Sequence, residues 1–255
     1  MLILLSPAKK LLKTEKPYSG TTSKPLFPEQ TRTLVELMKS KSVEDIAALM
    51  DLSKDLATLN FERYQEFVFD GQSPHAYPAL FLFQGDVYQG LQADTWKPET
   101  VTYAQSHLRI LSGLYGLLNP LDSIQPYRLE MGVRLTNPAG KSLYDFWQST
   151  IAETLNQQLA SQKNPTVINL ASTEYFKAVN EKKLNYPVIT INFYEHKNNQ
   201  LKMIGIHAKK ARGVMAKYLM EHQIDTLEGI KQFNELGYEF HQANSSATHF
   251  DFVRR

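Results

Sequence analysis

The sequence predicts a single α+β domain, a mixed α/β fold running over residues 1–255. Short apolar runs such as Met1–Leu5 and Val188–Tyr194 read as strands, and stretches between them repeat apolar residues at three- and four-residue steps, as helices do. No internal repeat, low-complexity block or linker divides the chain. With 255 residues, 42% of them hydrophobic, it can bury one large core.

Met1–Leu5 (MLILL) is apolar throughout and Pro7 stops a strand ladder, so this is a short buried strand. Residues 9–24, rich in lysine and broken by Pro17 and Gly20, read as a loop. Glu29–Phe67 shows helical spacing, with Ser42 and Asp45 as a capping pair. Pro78–Phe83 (PALFLF) is a second buried strand, broken by Gly85-Asp86. Glu99–Leu111 places Val101, Ala104, Leu108 and Leu111 on one helix face, and Gly113 ends that helix. Ser142 and Asp145 cap another, whose Leu143, Phe146, Trp147, Ile151, Leu155 and Leu159 share a face. Thr166–Leu170, Val188–Tyr194 and Leu201–Ala208 follow as strands, the last two a hairpin about the polar turn at 197–200. A basic helix over Lys209–Glu221, a shorter one over Leu227–Phe233 and a strand at Phe250–Val253 complete the pattern.

Composition excludes several functions. The chain has no cysteine, so disulfides, thiolate metal sites and thiol nucleophiles are absent. The first apolar run is too short and lacks the leading cations of a secretory signal, and no run approaches a membrane span, so a cytoplasmic protein without a membrane partner is expected. Twenty-eight Lys and Arg against 26 Asp and Glu leave a formal charge of +2, so affinity for a polyanion would require uneven placement of charge. Ala139-Gly140-Lys141-Ser142 resembles the end of a P-loop, but the motif's first glycine would fall at Leu135 and no strand precedes it. The seven histidines match no metal-site spacing and no Gly-x-Ser-x-Gly elbow occurs, so neither a metal nor another cofactor is expected.

Four segments could carry function. Leu108–Tyr127 (LRILSGLYGLLNPLDSIQPY) is similar to a helix-hairpin-helix, whose glycine turn offers backbone N–H groups to a DNA phosphate, although Gly113 and Gly116 are separated by two residues rather than one. The alternative, which the pattern alone favours, is a glycine-capped helix end followed by a packed turn. Leu201–Tyr218 holds Lys202, Lys209, Lys210, Arg212 and Lys217 with no acid, a phosphate-contacting surface or a solvated helix face. In Pro126–Gly132, Arg128 pairs with Glu130 or clamps a phosphate. Asn169–Phe176 (NLASTEYF) follows a buried strand, where α/β sheets place ligands, so Asn169, Ser172, Glu174 and Tyr175 are candidates; Ser172 and Glu174 could instead cap a helix.

These segments, with LSPAK (Leu5–Lys9) and GDVYQGLQA (Gly85–Ala93), resemble the YaaA family of peroxide-stress proteins over nearly the whole chain. The resemblance implies one mixed α/β domain with a positively charged cleft and a helix-hairpin-helix element. It also implies binding of duplex and distorted or bubble DNA, survival of hydrogen peroxide and restraint of free iron. Carried onto this sequence, it puts Ser112, Gly113, Tyr115 and Gly116 in the hairpin. Lys9, Arg128, Lys209, Lys210, Arg212 and Lys217 become DNA contacts, with Asp86, Tyr88, Glu130, Asn169, Ser172, Glu174 and Tyr175 as further cleft residues. Ala216-Lys217 stands where members often carry serine-arginine, exchanging a planar fork for a point charge.

The expected function is therefore DNA binding by a monomer that limits iron-dependent damage, with Tyr115 placed to stack on an unpaired base. No catalytic motif is recognisable, so a non-enzymatic role is favoured. The alternative is an enzyme acting on a nucleobase, nucleotide or damaged DNA in the same cleft, with Lys9 or Glu130 as the working group.

Overall fold

The computed structural model describes residues 1–13, 18–71, 73–197 and 200–254. Among them, eight strands form one sheet: β1 (Leu2–Leu5), β2 (Leu108–Ser112), β3 (Gly116–Leu118), β4 (Val167–Asn169), β5 (Val188–Lys197), β6 (Gln200–Lys202), β7 (Tyr238–Phe240) and β8 (His249–Arg254). The order is β7-β8-β5-β4-β1-β2-β3, with β6 hydrogen-bonded to β5. The central strands β8, β5, β4, β1 and β2 are parallel, and antiparallel partners close the edges. Every residue of β1, β2 and β4 is buried, as expected of parallel strands covered on both faces.

Three helices, α1 (Pro28–Lys39), α2 (Val43–Met50) and α3 (Lys54–Gln65), occupy the region read as helical. The Ser42–Asp45 capping box forms as expected. Next come α4 (Asp86–Leu91), α5 (Pro98–His107), α6 (Leu143–Trp147), α7 (Thr150–Leu159), α8 (Thr173–Phe176), α9 (Gly205–Glu221) and α10 (Leu227–Lys231). Ser142 and Asp145 complete a second capping box, but the helix behind it breaks at Gln148, which takes φ 38. Helix α9 packs closely on α4: a Cβ on Gly213 would lie 1.8 Å from the Val87 carbonyl, so only glycine permits the approach.

Three segments depart from the sequence reading. Glu99–Leu111 is not one helix, because α5 ends at His107 and Leu108–Ser112 is the fully buried β2. Pro78–Phe83 is not a continuous strand: Ala79–Leu82 makes a helical turn between the two-residue strands Tyr77–Pro78 and Phe83–Gln84. Leu201–Ala208 keeps a strand only as far as Lys202, since α9 begins at Gly205, one turn before the expected Lys209. In each case a short apolar run fits both periodicities, and tertiary burial decides. Of the loop expected at 9–24, Lys10–Leu11 pairs with Phe83–Gln84, and residues 14–17 lie outside the described residues. Part of the hairpin turn, residues 198–199, does too.

Candidate functional site

Strand β1 leads toward β2 on one side of the sheet, whereas β4 leads toward β5 on the other. The carboxyl ends of β1 and β4 therefore form a switch point, the place where open α/β sheets bind ligands. Ser6 and Ser172 tie the two loops together there: the Ser172 N–H donates to Ser6 Oγ at 2.9 Å, and the hydroxyls lie 3.3 Å apart. Asn169, at the end of β4, turns its side chain back. Its Oδ1 accepts from the Ala171 N–H at 2.9 Å and its Nδ2 donates to Thr190 Oγ1 at 3.3 Å.

The loop after β1 carries Lys9 onto Glu130. Lys9 Nζ lies 3.0 Å from Glu130 Oε1, and Arg128 donates to the same oxygen from Nε at 3.1 Å and Nη2 at 3.0 Å. The ion pair read from Arg128 and Glu130 thus forms, and Lys9 joins it. Glu130 is 13% exposed, and its other oxygen, Oε2, is buried with no hydrogen-bond partner among the described residues. Burial pushes the Glu130 carboxyl up, but hydrogen bonds and charge from Lys9 and Arg128 outweigh it and hold the group below its ordinary value. Tyr127 and Tyr175 flank this cluster, and burial pushes both phenols far above their usual range.

Glu174 accepts from the Gly132 N–H at 2.9 Å and its carbonyl from the Tyr144 hydroxyl at 3.0 Å, tying α8 to the segment that holds Glu130. Ser172 occupies the N-cap position of α8 without a side-chain capping bond, so its hydroxyl is committed to Ser6. Tyr88, buried on α4, donates to the Ser6 carbonyl at 3.1 Å. Asp86 opens the same helix, half-buried, with no side-chain partner among the described residues.

The expected hairpin element packs beneath the Glu130 cluster, Gly113 against the backbone of Leu129 and Glu130, and is something else. Ser112 is fully buried, its Oγ 2.6 Å from the Tyr127 hydroxyl and accepting from the Tyr115 N–H at 2.9 Å. Tyr115 is 3% exposed and its hydroxyl accepts from the Gln125 N–H, so it cannot stack on a base. The Gly113 carbonyl accepts from Trp147 Nε1 at 3.0 Å, and Gly116 turns at φ 70 beneath the Trp147 ring, 2.6 Å from where a Cβ would sit. Strands β2 and β3 pair across this turn. Ser112, Gly113, Tyr115 and Gly116 thus belong to the turn of a β-hairpin packed into the core, not to a helix-hairpin-helix.

On α9, Lys209 and Lys210 are exposed and make no ion pair among the described residues. Arg212 is half-buried; among the described residues its buried Nε has no partner and no acid pairs with it, and burial pulls the guanidinium below its usual value. Lys217 is committed: it donates to Gln92 Oε1 at 2.7 Å and lies 4.0 Å from Glu221. The start of α9 is held at the carboxyl edge of the sheet by His207 Nδ1, 2.7 Å from Glu195 Oε1, an oxygen that also accepts from Arg254 and Tyr238. Helix α4 joins the two regions, with Tyr88 reaching Ser6 and Val87 packed on Gly213.

A family profile described as "Peroxide stress protein YaaA" matches residues 1–244. The chain belongs to that family. A UPF0246 protein of Legionella pneumophila is 64% identical over all of this chain and 99% of its own length. UPF0246 proteins of Bordetella petrii, at 49%, and Alteromonas mediterranea, at 47%, also match over the whole chain, covering 100% and 98% of their own lengths. For a YaaA-family protein, Ser6 and Tyr144 are the notable omissions from the sequence reading. Ser6 lay inside the quoted LSPAK signature, but its partner Ser172 is distant in sequence and only the fold shows the pairing. Among the described residues, no helix is long and apolar enough to cross a membrane.

Proposed function

We propose that this YaaA-family protein serves the peroxide-stress response by binding DNA, duplex and distorted, through phosphate contacts from α9, and so limits iron-dependent damage at the DNA. The observation that carries this reading is Arg212, half-buried, with its buried Nε unpartnered and no counter-ion among the described residues, beside the exposed and likewise unpaired Lys209 and Lys210. A charge withdrawn from water without a partner is costly, and an anion arriving there offsets the cost. Phosphate is the anion that clustered cations collect, and Lys209 and Arg212, three residues apart, share one face of the helix. Lys9 and Arg128 contribute less, because Glu130 already neutralises part of their charge.

Anisotropy titrations of labelled bubble and duplex DNA test it. Lys209→Ala, Lys210→Ala and Arg212→Ala should each weaken binding, and unchanged affinity in the triple variant removes the reading.

A second reading has an observation of its own. Glu130 lines a cavity of about 20 Å³, too small to hold a base itself, and its buried, unpartnered Oε2 is left to accept a hydrogen bond from a base or nucleotide bound beside it. Incubation with duplexes carrying oxidised bases, followed by alkali, scores strand cleavage. Product lost in Glu130→Gln would favour an enzyme, and absence of product favours binding alone.

A further inference from the structure

A cavity of about 570 Å³ opens between the loop after β1 and α4. Its walls are aromatic: Tyr18, Tyr77, Phe81, Phe83 and Tyr88 all line it. Tyr18 stacks on Phe81 with ring centroids 5.7 Å apart and meets Tyr77 edge-on at 5.3 Å. Its rim is polar. Gln89 and Asp94 are exposed and carry no side-chain hydrogen bond among the described residues, while Gln84 donates one amide hydrogen to the Phe81 carbonyl and keeps its oxygen free.

Gln89 and Gln92 belong at the same time to a second cavity, of about 360 Å³, lined also by Lys210 and Lys217. One continuous surface thus runs from stacked rings, past amide and carboxylate groups, to a free lysine of α9.

From this arrangement we infer that the aromatic cavity is a nucleobase site, taking a single unstacked base whose backbone phosphate reaches Lys210. Ring faces supply stacking that every base can use, and free amide and carboxylate groups match the donor and acceptor edge of a base. The cavity volume lies in the range of small-ligand pockets. The placement rests on the DNA-binding reading of Lys209 and Lys210, but the base itself could come from a nucleic-acid strand or from a free nucleoside. Tyr115, buried in the core, cannot supply this stacking, and Tyr18 can.

The test compares three probes on the full chain: a labelled single-stranded oligonucleotide, an abasic strand of equal length, and adenosine. Fluorescence anisotropy follows the strands and calorimetry the nucleoside. The base-bearing strand should bind at least about fivefold tighter than the abasic strand, the low end of what stacking of a base on an aromatic ring contributes. Tyr18→Ala should abolish that discrimination without changing abasic binding, and Tyr18→Phe should retain it. Lys210→Ala should weaken both strands together. Equal binding of the two strands, or discrimination that survives Tyr18→Ala, overturns the site. If neither strand binds but adenosine binds and loses affinity in Tyr18→Ala, the site stands for free nucleosides and the DNA reading falls. If none of the three binds, both fall.

Discussion

Lys9 Nζ and Glu130 Oε1 lie 3.0 Å apart, joining the loop that leaves the first strand to a carboxylate that Arg128 already holds. The contact lies at the switch point on the carboxyl edge of the sheet. It also divides the cations of this protein into two classes. Lys9 and Arg128 have a counter-ion; Lys209, Lys210 and Arg212 have none among the described residues.

Removing Glu130 should destabilise the fold. In Glu130→Ala the Arg128 guanidinium, 16% exposed, loses its acceptor, at a cost of about 1–3 kcal/mol. Urea unfolding measures it. Lys9→Ala should cost less than about 1 kcal/mol, because Lys9 is 67% exposed and water replaces its partner.

The pH dependence follows from the same carboxylate and from Glu195, held below its ordinary value because bonds from Arg254, Tyr238 and His207 outweigh the upward push of burial. Both groups ionise more readily folded than unfolded. Their contribution is complete above the unfolded value, about pH 4.3, and is lost as pH falls through the lower folded values. Urea titrations at stepped pH should show stability falling below about pH 4.3, with a shallower fall in Glu130→Gln/Glu195→Gln.

Arg212→Met should separate stability from function. An apolar side chain of similar length in place of a half-buried charge whose buried Nε is unpartnered is neutral or stabilising, by up to about 2 kcal/mol, while DNA binding weakens. A rise in melting temperature together with lost affinity is the expected pair of results. A fall in both would mean that the guanidinium supports the fold.

Gly116→Ala should destabilise by about 2 kcal/mol or more, since it strains a turn at φ 70 and drives a methyl into the Trp147 ring. Tyr115→Phe should cost about 1 kcal/mol through loss of the bond from the Gln125 N–H. In both variants the DNA affinity of the folded fraction should be unchanged, which distinguishes a packed turn from a phosphate-binding hairpin.

Which parts of this were legible in the sequence depends on how local the signal is. Met1–Leu5 declared itself because five apolar residues before a proline have few alternatives, and both Ser-x-x-Asp boxes cap helices because capping acts over three residues. Leu108–Ser112 misled because Leu108 and Leu111 fit one helix face, while burial on both faces of a sheet requires the same apolar residues. Gly205 hid the true start of α9, since glycine is costly inside helices. At the switch point, Arg128 and Glu130 were readable as neighbours, whereas Lys9, Ser6 and Ser172 meet only through the fold. The aromatic cavity has no sequence signature, because Tyr18 lies far along the chain from Tyr77 and Phe81 and meets them only through the fold.

The central claim, that α9 collects DNA phosphates, is tested most directly by the slope of log affinity against log salt concentration on bubble DNA. The account predicts a steep negative slope for the unmodified chain, reduced by about one for each of Lys209→Ala and Lys210→Ala. A slope that is flat, or that both substitutions leave unchanged, contradicts it.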